Sequence, residues 1–181
     1  MKIYTRKGDG GSTHLLFGGK VRKDDSAPEA YGAVDEAQAF IGLARAETGD
    51  GSDLDTILVG LERDLWVVMA ELATAADNRD RLVAGTSLVT KEMVDALEPL
   101  IDDISTRFEA LAEFVVPGQN RLAALLDAAR TVVRRAERRV VPVAVEDSQV
   151  LPYLNRLSDL LWALARWQEG TSLKAREREK S

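Results

Sequence analysis

Residues 53–76 read DLDTILVGLERDLWVVMAELATAA, and this stretch carries the plainest indication of the fold. Its apolar side chains recur every three or four positions, which places them on one face of an α-helix. A helix with one apolar face must bury that face against other elements. The stretch therefore predicts an amphipathic helix that packs on further helices through Leu54, Ile57, Leu58, Leu61, Leu65, Val68 and Leu72.

Four further stretches show the same period, so the sequence predicts five helices with short connections. Pro99 is expected to kink or limit the third helix, because its ring removes a backbone donor. Such helices are typical of an all-α fold, here a five-helix antiparallel bundle with a glycine-rich N-terminal loop. The other helices are expected from an N-cap at Ser26, with Pro28 in the first turn, to a stop at Gly49 and Gly51, from near Thr90, over about 120–141, and over about 152–168.

We interpret residues 1–181 as a single domain, because this length supports one buried core and the chain has no internal repeat. Within it, we expect a nucleotide-binding loop over 1–25 and the helical bundle over 26–168. A charged tail over 169–181 is expected to fray.

Composition excludes several classes of protein. The net charge of −6 argues against a nucleic-acid binder, since proteins that follow phosphate backbones carry excess positive charge. Cysteine is absent and His14 is the only histidine, so thiol nucleophiles, disulfides and thiolate metal sites are excluded, and we expect no resident metal site. No apolar run is long enough to cross a membrane, and the default interpretation is a cytoplasmic protein.

Residues 3–20, IYTRKGDGGSTHLLFGGK, form a basic glycine-rich segment that a helical bundle does not need. Successive glycines let backbone N–H groups converge on an oxyanion, and the lysines at 7 and 20 add charge. The GxxxxGK[ST] spacing of a P-loop is absent, and most glycine-rich turns are only turns. The segment becomes an anion site only together with other basic groups.

Three positions on the helices break the simple bundle pattern. Arg130, Arg134 and Arg138 form a row four residues apart, where like charges repel unless an anion or acid lies against them. A solvated basic face is the equally open alternative. Trp162 lies on the polar face of the last helix with Asn155, Asp159 and Arg166, which favours a ligand site or subunit interface over a single exposed tryptophan. Asp35 alone would be an ordinary surface charge.

Four segments in order resemble the PduO-type ATP:cob(I)alamin adenosyltransferases: YTRKGDGGSTHLLFGGKVRKDD, EAYGAVDEAQAFIGLA, RRAERRVV and YLNRLSDLLWALAR. The resemblance extends from residue 3 to about 168. It implies a five-helix bundle that forms a homotrimer, with active sites between subunits. It also implies an enzyme that transfers the 5′-deoxyadenosyl group of ATP to the cobalt of a reduced corrinoid, giving adenosylcobalamin and triphosphate. Mg²⁺ is expected with ATP, and a reductase and an acceptor enzyme are further expected partners.

The resemblance also assigns site residues. Asp35 and Arg130 resemble an acid–arginine pair between subunits near the corrinoid, and Phe114 resembles an aromatic side chain below the cobalt. Arg134 would act on the nucleotide in catalysis. Gln38 and Asp127 replace a frequent asparagine and a frequent histidine. ATP contacts are implied at Thr5, Arg6, Lys7, Gly8, Asp9, Gly11, Ser12, Thr13, Lys23, Arg134, Glu137, Arg138 and Asn155.

Other functions remain open at this stage. A ferritin-like di-metal oxidase requires inward-facing Glu-x-x-His pairs, which a single histidine in a loop does not supply. A non-catalytic module that binds ATP or delivers a corrinoid could use the same scaffold, because fold alone does not decide function. A purely structural trimer, whose arginine row pairs with a neighbour's acids, would have no affinity for ATP.

Overall fold

The computed structural model describes residues 3–4, 6–111 and 113–176, and within these ranges it is mostly helical. The described residues form six α-helices and four short strands, each numbered in chain order. The strands are β1 (Ser12–His14), β2 (Lys20–Arg22), β3 (Val115–Val116) and β4 (Leu173–Lys174). The helices are α1 (Ser26–Arg45), α2 (Asp53–Leu72), α3 (Lys91–Asp95), α4 (Leu97–Ser105), α5 (Arg121–Val140) and α6 (Val150–Glu169).

The core lies where α1, α5 and α6 meet. Helix α5 packs on both α1 and α6, while α2 covers α1 and α4 covers α6. Burying leucines on α6 removes their apolar surface from water, which is the main force that holds these helices together. The helical period expected over 152–168 corresponds to an apolar stripe on α6 whose members are all fully buried: Leu154, Leu157, Leu160, Leu161 and Leu164.

Two details of the predicted helices differ in the structure. The single helix expected from near Thr90 is divided into α3 and α4 at Ala96, so the described residues hold six α-helices instead of five. Pro99 explains the division, because it has no N–H for the carbonyl of Asp95, four residues earlier. The N-cap expected at Ser26 is also wrong by one residue: Asp25 is the cap and Ser26 is already helical.

Two small antiparallel sheets make the fold mostly helical but not all-α. Strands β1 and β2 form a hairpin within the N-terminal segment, with Thr13 opposite Val21. Strand β3 pairs with β4, which follows α6, with Val116 opposite Leu173. The expectation that the tail frays from residue 169 is therefore wrong as far as β4.

Across the described ranges, no helix combines the length and the apolar character that a membrane span requires.

Candidate active site

The N-terminal segment forms a tight, exposed loop before its hairpin. Lys23 folds back across the loop, and its Nζ would lie 3.1 Å from a Cβ placed on Gly8, so any side chain at that position would crowd the ammonium. The backbone N–H of Lys23 donates to the carbonyl of Gly11, 3.0 Å away. Gly11 has φ of 74°, a conformation that glycine adopts at little cost. Arg6 and Asp9 are exposed beside them.

These contacts bring predicted loop residues together at one place. Lys7 is exposed, and Ser12 and Thr13 are half-buried in β1. Thr5, which the sequence also assigns to ATP, lies outside the described residues. The loop thus presents a lysine ammonium, glycine backbone and hydroxyl groups within one short segment, which is the chemistry expected of an oxyanion site.

The hairpin is tied to the end of α2. Leu16 donates its N–H to the carbonyl of Ala73, 2.8 Å away. The guanidinium of Arg81 lies over the ring of Phe17, 4.3 Å from its centroid. Phe17 has φ of 64°, a strained conformation for a bulky residue, and the stacked arginine holds it there. The loop is therefore anchored on its β1–β2 side, while residues 6–11, apart from the half-buried Gly8, stay exposed.

The arginines of α5 divide into two groups. Arg135 forms an ion pair with Glu36, and Arg139 pairs with Glu29, 3.2 Å away. Within the described part of the chain, neither Arg134 nor Arg138 has an ion pair or a side-chain hydrogen bond, and both are exposed. Two guanidinium groups thus project from one helix without a counter-charge, which favours an anion as their partner.

Glu137 and Asn155 meet beside these two arginines. The amide of Asn155 on α6 donates to Glu137 Oε1 on α5, with 3.3 Å between the atoms. Arg156 in turn donates to the amide oxygen of Asn155, 3.2 Å away. The structure thus joins two of the residues for which the family resemblance implies a contact with ATP. No hydrogen bond or ion pair of Arg134 or Arg138 reaches the loop within the described chain.

A cavity of about 520 Å³ lies near the other end of α5. Phe114 stands at its rim with 86% of its surface exposed, next to β3. Arg130 and Trp162 line the wall below it. The cavity joins an apolar ring and a cation, two of the features that the family resemblance implies for the corrinoid end of the site.

A buried ion pair closes the floor of this cavity. Arg166 is only 1% exposed, and its Nη2 lies 2.5 Å from Asp127 Oδ2. Arg130 donates from Nε to the other oxygen of Asp127, 3.2 Å away. The Nε of Arg166 forms an ion pair with Glu169 Oε2, 2.9 Å away, but within the described chain neither Arg166 Nε nor Glu169 Oε1 has a hydrogen-bond partner.

Asp35 lies elsewhere. It is exposed on α1 in a groove of about 560 Å³ that Gln38, Arg45 and Trp66 also line. Trp66 is 66% exposed at the edge of this groove. Within the described residues no ion pair joins Asp35 to Arg130, and the two line different cavities. A pair between them requires a second copy of the chain.

Metal ligands are scarce in this region. Within the described ranges, no three His, Cys, Asp or Glu side chains are grouped so that they could hold a metal ion.

Comparison with known proteins identifies the family. Residues 3–168 match the sequence model of the cobalamin adenosyltransferases. The chain belongs to this family. The corrinoid adenosyltransferase of Bacillus subtilis is 40% identical over 172 residues, which cover 92% of this chain and 86% of that protein. The corrinoid adenosyltransferase PduO of Salmonella typhimurium is 39% identical over 178 residues, covering 97% of this chain and 52% of the longer relative.

The solved structures agree with this membership of the cobalamin adenosyltransferases. A variant of the PduO-type ATP:corrinoid adenosyltransferase of Lactobacillus reuteri, solved with cobalamin and ATP, superposes with a TM-score of 0.87. It is 31% identical and the match covers 97% of each chain. The family predicted from the four sequence segments is therefore confirmed.

Sequence reasoning missed one feature of this family member. Arg166 was placed on the polar face of the last helix, but the structure buries it against Asp127 and Glu169. A signal was present: Asp127 and Arg166 each border an apolar stripe, and charges that close to a core need partners.

Proposed function

We propose that this chain transfers the 5′-deoxyadenosyl group of ATP to the cobalt of a reduced corrinoid. The observation that carries the proposal is the match of residues 3–168 to the cobalamin adenosyltransferases. A structural neighbour that was solved with cobalamin and ATP, at a TM-score of 0.87, adds support. The products are an adenosylated corrinoid and triphosphate.

The reaction needs no protein nucleophile. Co(I) of the corrinoid attacks C5′ of ATP with an electron pair, the Co–C bond forms, and the C5′–O bond breaks. The electron pair of the broken bond leaves with the triphosphate. Because the attack is at carbon, no base has to activate water, in keeping with a chain that has no cysteine and one histidine.

At the nucleotide end, we assign the triphosphate to the loop and to α5. Gly8, Gly11 and Lys23 form the tight loop, and within the described chain Arg134 and Arg138 are the two arginines of α5 without carboxylate partners. Donors fixed before the reaction stabilise charge that develops on the leaving group. We also propose that Mg²⁺ would accompany the ATP and offset charge on the leaving triphosphate, since this cation favours phosphates over all-protein cages. Glu137, between the two arginines in sequence, has the oxygen chemistry that this cation takes.

At the corrinoid end, Phe114 would fill the space below the cobalt with an apolar ring. Removal of the lower axial ligand in this way makes Co(II) easier to reduce to Co(I). The exposed ring at the rim of a 520 Å³ cavity fits that role, because a large planar substrate could lie against it.

We further propose that the chain works as a homotrimer with active sites between subunits. Asp35 and Arg130 line different cavities of one chain, so their pairing would have to join neighbouring copies. In this assembly α3 and α4 together would count as one of five antiparallel bundle helices. The cytoplasmic location, the lack of nucleic-acid partners, and the reductase and acceptor enzyme remain predictions from the sequence.

Arg134→Ala tests the nucleotide assignment. The substitution should lower turnover by about 10²–10³-fold, the size found when one preorganised donor to developing charge is removed. Its matched control is Arg135→Ala, which removes the neighbouring arginine that pairs with Glu36 and should stay close to the wild type. Turnover is followed by the change in the corrinoid spectrum and by release of triphosphate.

The same assay separates the alternatives. Near-normal turnover of Arg134→Ala would contradict the role of this residue. Wild-type protein that binds ATP and corrinoid but releases no triphosphate would support a non-catalytic module. Absence of any ATP binding would support a purely structural trimer.

A further inference from the structure

We propose that the segment after α6, residues 170–176, positions Phe114 over the cavity, and that the buried Arg166 cluster holds this segment in place. The inference rests on the proposed role of Phe114 at the corrinoid. It assigns a function to residues that the sequence alone indicates only as part of a charged tail.

Phe114 depends on its main chain for its position. The residue is 86% exposed, so packing restrains the ring little. Its carbonyl, however, accepts a hydrogen bond from the N–H of Ala175, 2.8 Å away. The next two residues pair with β4, Val115 opposite Lys174 and Val116 opposite Leu173. The segment that follows α6 therefore fixes the position of the Phe114 main chain at the rim of the cavity.

The turn between α6 and β4 is fixed by Glu169. Gly170 has φ of 74°, which lets the chain reverse directly after the helix. Ser172 then donates its hydroxyl to Glu169 Oε2, 2.7 Å away. Glu169 is itself 7% exposed, so the turn is held by a carboxylate that cannot readily move into water.

Arg166 joins this turn to the cavity wall. One side of its guanidinium pairs with Asp127, which also accepts from Arg130. The other side faces Glu169, which holds Ser172. A continuous set of contacts thus runs from the cation on the cavity wall to the strand that carries the rim. Both corrinoid-side groups, Arg130 and Phe114, take their positions from one buried arginine.

The proposed reaction requires that the Phe114 ring be held in a fixed position. A ring that replaces the lower ligand of cobalt must stay in place while that ligand leaves, and a free loop would let it swing away. Backbone pairing on one side and a buried charge cluster beneath supply that restraint. The restraint matters for the reduction of Co(II), and it matters little once Co(I) has already been formed.

Ala175→Pro tests the inference, because proline removes the N–H that bonds to Phe114. We expect the rate from Co(II) corrinoid to fall about tenfold, the equivalent of one net hydrogen bond. The rate from prereduced Co(I) should change far less. The visible and EPR spectra of the Co(II) corrinoid bound with ATP should show a smaller fraction without its lower ligand. Ala175→Ser keeps the N–H and should restore wild-type behaviour in all three measurements.

Ser172→Ala is a second, milder variant that leaves the backbone unchanged. It removes the hydroxyl that ties the turn to Glu169, so it should shift the same three measurements in the same direction by less. Equal loss of the Co(II) and Co(I) rates in Ala175→Pro, or no difference from Ala175→Ser, would overturn the inference.

Phe114→Ala distinguishes this inference from the function on which it rests. If Phe114→Ala slows the Co(II) route selectively and Ala175→Pro does not, the positioning by residues 170–176 is wrong and the role of Phe114 stands. If Phe114→Ala slows both routes equally, the proposed role of the ring is itself wrong.

Discussion

Glu71 and Glu169 are both buried glutamates near the C-terminal end of a long helix, but their surroundings differ. Both oxygens of Glu71 accept hydrogen bonds: Oε1 from Arg79 and Ser148, at 2.8 and 2.7 Å, and Oε2 from the N–H of Val89, at 2.7 Å. Glu169 Oε1 has no partner in the described chain. One carboxylate is fully satisfied by the fold, and the other is not.

This difference in hydrogen bonding distinguishes the cluster around Glu71, which stabilises the fold, from the cluster around Glu169, which lies near the candidate site. Glu71 joins α2 to the segments at Arg79, Val89 and Ser148, and so stabilises the platform on which the N-terminal hairpin rests. Buried polar groups in a folded core are normally all paired. The cluster around Glu169 and Arg166 keeps two atoms without hydrogen bonds beside a cavity, and such incomplete pairing is more typical of a functional site than of a purely structural core.

The largest effect on stability is expected for Glu71→Ala. It leaves the guanidinium of Arg79 and the N–H of Val89 without their acceptor, and breaking a buried pair in this way costs about 3–5 kcal/mol of unfolding free energy. Urea denaturation measures the loss. The exposed pair of Glu47 with Arg121 supplies the control, since Glu47→Ala should cost at most about 1 kcal/mol. Similar losses in the two variants would contradict the structural role of Glu71.

Glu169→Ala should cost less than Glu71→Ala. The hydrogen bond from Ser172 and the ion pair with Arg166 are lost, but Arg166 keeps Asp127 as its counter-charge, so we expect about 1–3 kcal/mol. Urea denaturation under the same conditions gives the comparison directly. A loss as large as that of Glu71→Ala would remove the distinction between the two clusters, because Glu169 would then be equally necessary to the fold.

The helices were predictable because their signal is local. The stripe of α6 repeats over a few turns, and the prediction of 152–168 lies close to the observed Val150–Glu169. The prediction of about 120–141 is likewise close to α5, which Asn120 caps by accepting from the N–H of Ala123. Periodicity and capping depend on neighbouring residues, so one sequence is enough to find them.

The contacts that build the site were not predictable in the same way. Strands β3 and β4 have two residues each and are far apart in sequence, so no period marks their pairing. Because charged residues are normally exposed, the residue type of Arg166 did not indicate that it is buried. Sequence similarity to a family supplied Phe114 and Arg130 as site residues, but the contacts that hold them depend on the tertiary structure.

The smallest effect on stability is expected for a substitution of Asp64, whose carboxylate accepts one side-chain hydrogen bond. Tyr153, which is fully buried, donates its hydroxyl to Asp64 Oδ2, 2.9 Å away. Burial raises the pKa of Asp64, and the tyrosine bond offsets this only in part. A raised pKa means that the folded state holds the proton more tightly than the unfolded chain, so stability from this group is present at low pH and is lost as the pH rises through the folded pKa.

Asp64→Asn removes that titration and keeps an oxygen that can accept from Tyr153. At neutral pH the variant should therefore be slightly more stable than the wild type, because no charge is buried. Below about pH 4, where the carboxyl is protonated even in the unfolded chain, the advantage should disappear. Urea midpoints measured across this pH range decide the matter. A destabilised variant at neutral pH would mean that Asp64 is stabilised as an anion and that one hydrogen-bond donor is enough.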